Sequence, residues 1–189
     1  MKKLLLAITL LLLSVVFAAC SDNGESNEES SDSGEEMEQE QEHAEMDHSS
    51  SGDVPEDLKE AENPKFEVGS TAIINAEHMP GMNGAEAVIS GAYDTVAYVV
   101  SYDPTNGGER VTDHKWVIHE EIEEAGEEPF KSGDEVTLNA SHMEGMEGAA
   151  ATIESAEETT VYMVDFVNTE SGEKVENHKW VTEDELSAE

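Results

Sequence analysis

The side chains best suited to chemistry in this sequence are histidines and methionines, and they come in clusters. After Met1 there are seven Met and seven His, most of them within a few residues of one another. His78, Met79 and Met82 share a stretch punctuated by Pro80, Gly81 and Gly84, and His142, Met143 and Met146 share a similar one with Gly145 and Gly148. His114 and His178 each open a His-Lys-Trp-Val run. Thioether sulfur is a soft donor suited to Cu(I), and imidazole suits copper in either oxidation state. A thioether also needs no deprotonation and cannot pair into a disulfide, which makes it a sensible ligand outside the cytoplasm. These residues point to copper, Cu(I) ahead of Cu(II), in two repeated sets. One is His78, Met79, Met82 and His114; the other is His142, Met143, Met146 and His178.

Each of these readings has a plainer competitor. Methionines three apart often fill irregular gaps in a core, although here they lie between glycines in a predicted loop. Residues two apart on a strand share a face, so Trp116 and Trp180 are expected beside His114 and His178. There they either shield the metal or close a half-buried core. Other chemistries leave no trace: the chain has no Gly-rich phosphate loop, no Gly-x-Ser-x-Gly elbow and no His-Glu-x-x-His. The expectation is a binding protein and not an enzyme. A formal charge of −36 argues against nucleic acid, which needs a basic footprint.

The elements that must position these residues are repeated too. Gly69 to Ile122 aligns without a gap with Gly133 to Leu186, and about two dozen of some fifty positions are identical. Two copies are too few for a solenoid, so two similar small domains are expected. Ala72, Ile74 and Ala76 alternate with polar neighbours, as do Val136, Leu138 and Ala140. A second short strand is predicted at Ala85, Ala87 and Ile89, and a third at Tyr98, Val100 and Tyr102, each with its counterpart in the other copy. A fourth ends in His-Lys-Trp-Val, followed by an acidic helical turn. The predicted class is all-β, as two tandem SH3-like barrels of about 55–60 residues, because closure removes exposed edges. An open antiparallel sheet capped by the helical turn is the alternative. The expected boundaries are 65–128 and 129–189.

Ahead of the repeats, residues 1–19 read as a signal peptide. Lys2 and Lys3 precede an apolar run from Leu4 to Ala19, too short for a comfortable membrane span. Val16-Phe17-Ala18-Ala19-Cys20 resembles a bacterial lipobox, which implies cleavage after Ala19 and a lipid on Cys20, the sole cysteine. Residues 20–64 form an expected disordered tether. From Ser21 to Pro64 there are 17 acidic residues against one base, Lys59, and such a segment buries too little apolar surface to order itself. Met37, His43, Met46 and His48 lie in it as weak capture ligands for metal.

A doubled domain with His-Met-x-Gly-Met-x-Gly-Ala and His-Lys-Trp-Val resembles the YdhK-type lipoprotein family of Gram-positive bacteria, which includes the staphylococcal copper-binding surface lipoprotein CopL. The resemblance covers Lys65 to the C-terminus, with the signal and tether similar in kind. It implies copper binding on the extracytoplasmic face of the membrane, protection from copper toxicity and no turnover. The expected partners are the membrane through the N-terminal lipid, the metal ion, and a copper exporter or a cell-wall component. The rival expectation is a wall-binding or protein-interaction module, with Trp116 and Trp180 lining grooves.

Overall fold

The computed structural model describes residues 49–188. Within them the fold is all-β: β1 (Lys59–Glu60), β2 (Thr71–Ile74), β3 (Glu86–Tyr102), β4 (Val111–Ile118), β5 (Glu135–Thr137), β6 (Ala150–Val167), β7 (Lys174–Thr182) and β8 (Leu186–Ser187). The expected helical turns are single 3-10 turns, His119–Glu121 and Glu183–Glu185. Cys20, Met37, His43, Met46 and His48 lie outside the described residues, as do the expected signal peptide and most of the expected tether.

Two expectations about the strands change. The predicted second and third strands of each copy are one continuous strand, because β3 and β6 run antiparallel along almost their whole length. Ala87 faces Phe166 at one end and Tyr102 faces Ala151 at the other. Apart from bulges at Ser90 and Glu154 the residues between are paired across the two strands, and no turn is called for. Thr95 lies opposite Thr159, its own counterpart, so the two repeats meet about a local two-fold there.

The second change follows from the first. Two closed SH3-like barrels do not form; the strands make one open antiparallel sheet in the order β5-β6-β3-β2-β8, with β1 and β4 on β3 and β7 on β6. A strand that would have closed a barrel on its own copy is given to the other. The end of the second repeat pairs onto the start of the first, Leu186 against Ile74, and Ile122 bridges to Leu138 in the mirrored place.

The cores are shared accordingly. One packs Ala72, Ile74, Met82 and Ile89 of the first repeat against Tyr162, Val164, Phe166 and Leu186 of the second. The other packs Tyr98, Val100, Tyr102 and Ile122 against Leu138, Met146, Ala149 and Ile153. A third cluster gathers both tryptophans with Ala97, Ile118, Val161 and Met163. Each fully buried Ile, Leu or Val contributes roughly 1.5–3 kcal/mol relative to exposure, and in both lobes that gain depends on contacts between repeats.

The end of the segment expected to be disordered is ordered. Leu58 is buried in the tryptophan cluster, Val54 packs on it, and β1 pairs with Tyr93 and Asp94 of β3. Those two apolar side chains supply what the acidic stretch before them lacks.

Candidate functional site

The loop after β2 is shaped by glycine and held by the other repeat. Gly81 and Gly84 have φ of 75° and 79°, a region that L side chains rarely adopt. A Cβ on Gly81 would lie 1.9 Å from Asn168 Oδ1. Asn168 donates its side-chain N–H to Pro80 O at 2.8 Å, and the Thr169 amide donates to Gly81 O at 2.9 Å. In the mirrored loop Gly145 has φ of 77°, and the Thr105 amide donates to its carbonyl at 2.9 Å.

This anchoring divides the methionines. Met82 and Met146 point inward and are fully buried, one in each shared core. Met79 and Met143 line a cavity of about 630 Å³ with His78, His114, His142 and His178. The histidines do not group by repeat. The rings of His78 and His178 lie 6.3 Å apart between centroids, and so do those of His114 and His142. His114 thus faces His142 of the other copy and not His78.

The strand carrying each second histidine is irregular. β4 and β7 shift register against their partners on either side of His114 and His178, and Asp113 and Asn177 just before them have φ of 52° and 51°. Irregularities of this kind re-aim side chains. His114 packs edge-on against Tyr102 and His178 against Phe166. Trp116 and Trp180 turn into the central cluster, 6% and 0% exposed. Neither indole lines an open groove. The Tyr102 hydroxyl also reaches Met143 Sδ at 3.8 Å, a contact that Phe166 has no hydroxyl to repeat.

Two carboxylates hold the first histidine of each loop, Glu121 buried and Glu185 partly buried in the cavity wall. Glu185 Oε1 meets His78 Nε2 at 2.9 Å, while Oε2 accepts from Trp116 Nε1 at 2.8 Å and the Thr182 amide at 3.1 Å. Glu121 Oε1 meets His142 Nε2 at 2.7 Å, while Oε2 accepts from Trp180 Nε1 at 3.0 Å and the Ile118 amide at 3.2 Å. Burial alone would raise the Glu185 pKa, but the contacts from His78, Thr182 and Trp116 outweigh it and bring the carboxyl to about 2. Glu121 is also held below its ordinary value, its burial outweighed by His142, Trp180 and the Ile118 amide. With Nε2 engaged, the Nδ1 atoms of His78 and His142 are buried and have no hydrogen-bond partner.

His119 bonds Tyr98 Oη at 2.8 Å and Gly126 O at 2.7 Å, outside the cavity. Lys115 and Lys179 border the cavity. Lys115 Nζ is 3.9 Å from Glu185 Oε1, and Lys179 donates to the Asp53 carbonyl, its pKa lowered by burial.

Among the described residues no three His, Cys, Asp or Glu side chains gather into a metal-binding group. A metal here would rest on an imidazole pair with a thioether nearby. Bonds of about 2 Å from a metal to one nitrogen of each ring are compatible with imidazole centroids up to about 6 Å apart, close to the observed spacing. Histidine pairs with soft sulfur suit Cu(I).

Glu121 and Glu185 were missed in the sequence because acidic residues are everywhere in it. A signal was present: within the aligned stretch only Glu109/Glu173 and Glu121/Glu185 keep the same acidic residue in both copies.

The model of the DUF1541 family, proteins of unknown function, matches residues 68–119 and again 132–183. The chain belongs to this family. Its two matched stretches are the repeats whose strands interleave above. A DUF1541 relative, the uncharacterized protein YdhK of Bacillus subtilis (strain 168), is 60% identical over 184 residues, 96% of this chain and 88% of the relative. The crystal structure of ydhK from Bacillus subtilis subsp. subtilis str. 168 superposes with a TM-score of 0.75 at 68% identity, covering 78% of this chain and all of that one. The solution NMR structure of the ydhK C-terminal domain from B. subtilis gives a TM-score of 0.63 at 68% identity, over 66% of this chain and 94% of that one.

Proposed function

We propose that this DUF1541 protein is a copper-binding lipoprotein of the extracytoplasmic membrane face, holding Cu(I) in preference to Cu(II) and contributing to copper tolerance without turnover. The observation that carries the reading is the cavity: four histidines and two methionines converge there, and two imidazoles keep a buried nitrogen with no hydrogen-bond partner. A buried polar atom without a partner costs about 1–3 kcal/mol, and a bound metal would remove that cost at His78 and His142. The acceptor set becomes His78, His178 and Met79 on one side, and His142, His114 and Met143 on the other. Met82 and Met146 support these loops from the core.

The remainder of the reading comes from the sequence. Cys20 would carry the lipid that anchors the chain, and the Met37, His43, Met46 and His48 segment would capture copper loosely near the membrane. The resemblance to CopL supports a role in copper protection, with an exporter as the partner that receives the metal.

The test is an anaerobic Cu(I) titration of His78→Ala/His142→Ala, competed against a Cu(I)-specific chelator. The variant is expected to lose at least about tenfold in affinity with unchanged far-UV circular dichroism. Wild-type affinity in a folded double variant would remove copper from the cavity.

A further inference from the structure

Glu121 and Glu185 occupy equivalent places, and each receives the same three contacts: an imidazole Nε2 on one oxygen, an indole N–H and a backbone N–H on the other. Indole and amide nitrogens can only donate, so Oε2 of each carboxylate is an acceptor twice over. An ionised carboxylate has no proton to give, and its remaining oxygen meets the imidazole as an acceptor as well. The neutral ring must then carry its proton on Nε2. The other ring nitrogen is left with a lone pair, and at His78 and His142 that nitrogen is buried without a hydrogen-bond partner.

The geometry points to Glu121 and Glu185 as positioning residues that fix His142 and His78 in the Nε2–H tautomer, so that Nδ1 is the nitrogen offered to a soft metal ion. The inference rests on the copper reading of the cavity. Outer carboxylates that orient metal-binding imidazoles raise ligand basicity and fix the ring. Here each is supplied across the duplication, Glu185 of the second repeat to His78 of the first and Glu121 of the first to His142 of the second. The same carboxylates tie each ring to the indole of Trp116 or Trp180 beneath the cavity.

An amide in place of the carboxylate reverses the tautomer by donor counting. In Glu185→Gln the single amide oxygen is claimed by Trp116 Nε1–H and the Thr182 amide, which have no other role than to donate. The NH2 group then faces His78 and donates to Nε2, which drives the ring proton onto Nδ1. The hydrogen bonds of the wild type all keep a counterpart, so the fold is retained while the metal-facing lone pair is lost.

Long-range 15N–1H NMR of the metal-free full chain reads the tautomers directly. His78 and His142 are expected as Nε2–H in the wild type and as Nδ1–H in Glu121→Gln/Glu185→Gln. Anaerobic Cu(I) competition is expected to show an affinity loss of about 10–100-fold in that variant. An Nδ1–H tautomer in the wild type overturns the proposal without any variant, and so covers the case in which the double substitution does not fold. Wild-type copper affinity in the Gln variant, with affinity lost in His78→Ala/His142→Ala, overturns the positioning role and leaves the copper reading standing. Unchanged affinity in both variants instead removes the copper reading itself.

Discussion

At the scale of single residues, the two methionines of each loop have different tasks. Met82 and Met146 are fully buried in the shared cores, so truncating Met82 to Ala should cost about 2–5 kcal/mol. The Leu substitution, close in volume, should cost under about 1.5 kcal/mol and leave copper affinity alone. Met79→Leu and Met143→Leu should do the reverse, lowering Cu(I) affinity with little change in thermal midpoint. Chelator competition and a melt on the four Leu variants decide the division. The residue types that line the cavity were legible from the sequence, where His and Met stand together in both repeats. Which methionine faces the cavity was not, because in a glycine-shaped loop a spacing of three does not fix a direction. Glu121 and Glu185 were hidden among 45 acidic residues.

Glu185 also sets a pH dependence. Its carboxyl stands at about 2 in the folded chain against an ordinary 4.5, so its contribution is complete above about 4.5 and is lost as pH falls toward 2. Glu121 shifts in the same direction and adds to the loss. Denaturant midpoints measured from pH 6 down to 2 should fall through this window, and Glu185→Gln should flatten the fall. An equal acid limb in that variant would assign the loss to other carboxylates.

At the scale of elements, each His-Met loop depends on the turn after the long strand of the opposite repeat. Gly81 combines a φ of 75° with the Asn168 side chain where a Cβ would stand, whereas Gly84 has a φ of 79° and open space. Gly81→Ala should therefore destabilise by more than Gly84→Ala, which should cost on the order of 1 kcal/mol. Only Gly81→Ala should also displace Met79 and His78 enough to weaken copper. Paired melts and Cu(I) competition on the two variants check this, and equal effects would mean that φ alone matters. The short strands were legible by alternation at Ala72/Ile74 and Tyr98/Val100/Tyr102. Their fusion into β3 and β6 was not, because the pairing that orders Gly91 to Thr95 comes from Thr159 to Met163 in the other repeat, far along the chain. The expected common face of His114 and Trp116 failed for a related reason: the register shifts break the two-residue alternation.

At the scale of the whole molecule, the duplication was plain in the sequence, but its consequence was not. Two barrels and one interleaved sheet satisfy the same local patterning, and only the choice of partner for the long strands separates them. In this sheet each core and each histidine pair takes residues from both repeats. Residues 65–128 alone should consequently have no folded monomer, and mixing them with 129–188 should restore β-sheet circular dichroism. A cooperative melt of the isolated first repeat as a monomer would contradict the shared-core account.

The most direct test of the proposed copper site is an anaerobic Cu(I) titration of residues 49–188 beside the full chain, each competed against a Cu(I)-specific chelator. The folded region alone should hold up to two equivalents with the affinity of the tightest sites of the full chain, since both cavity histidine pairs are within it. Binding that disappears when the preceding residues are removed would place the copper on Met37, His43, Met46 and His48, and the cavity would lose its proposed role.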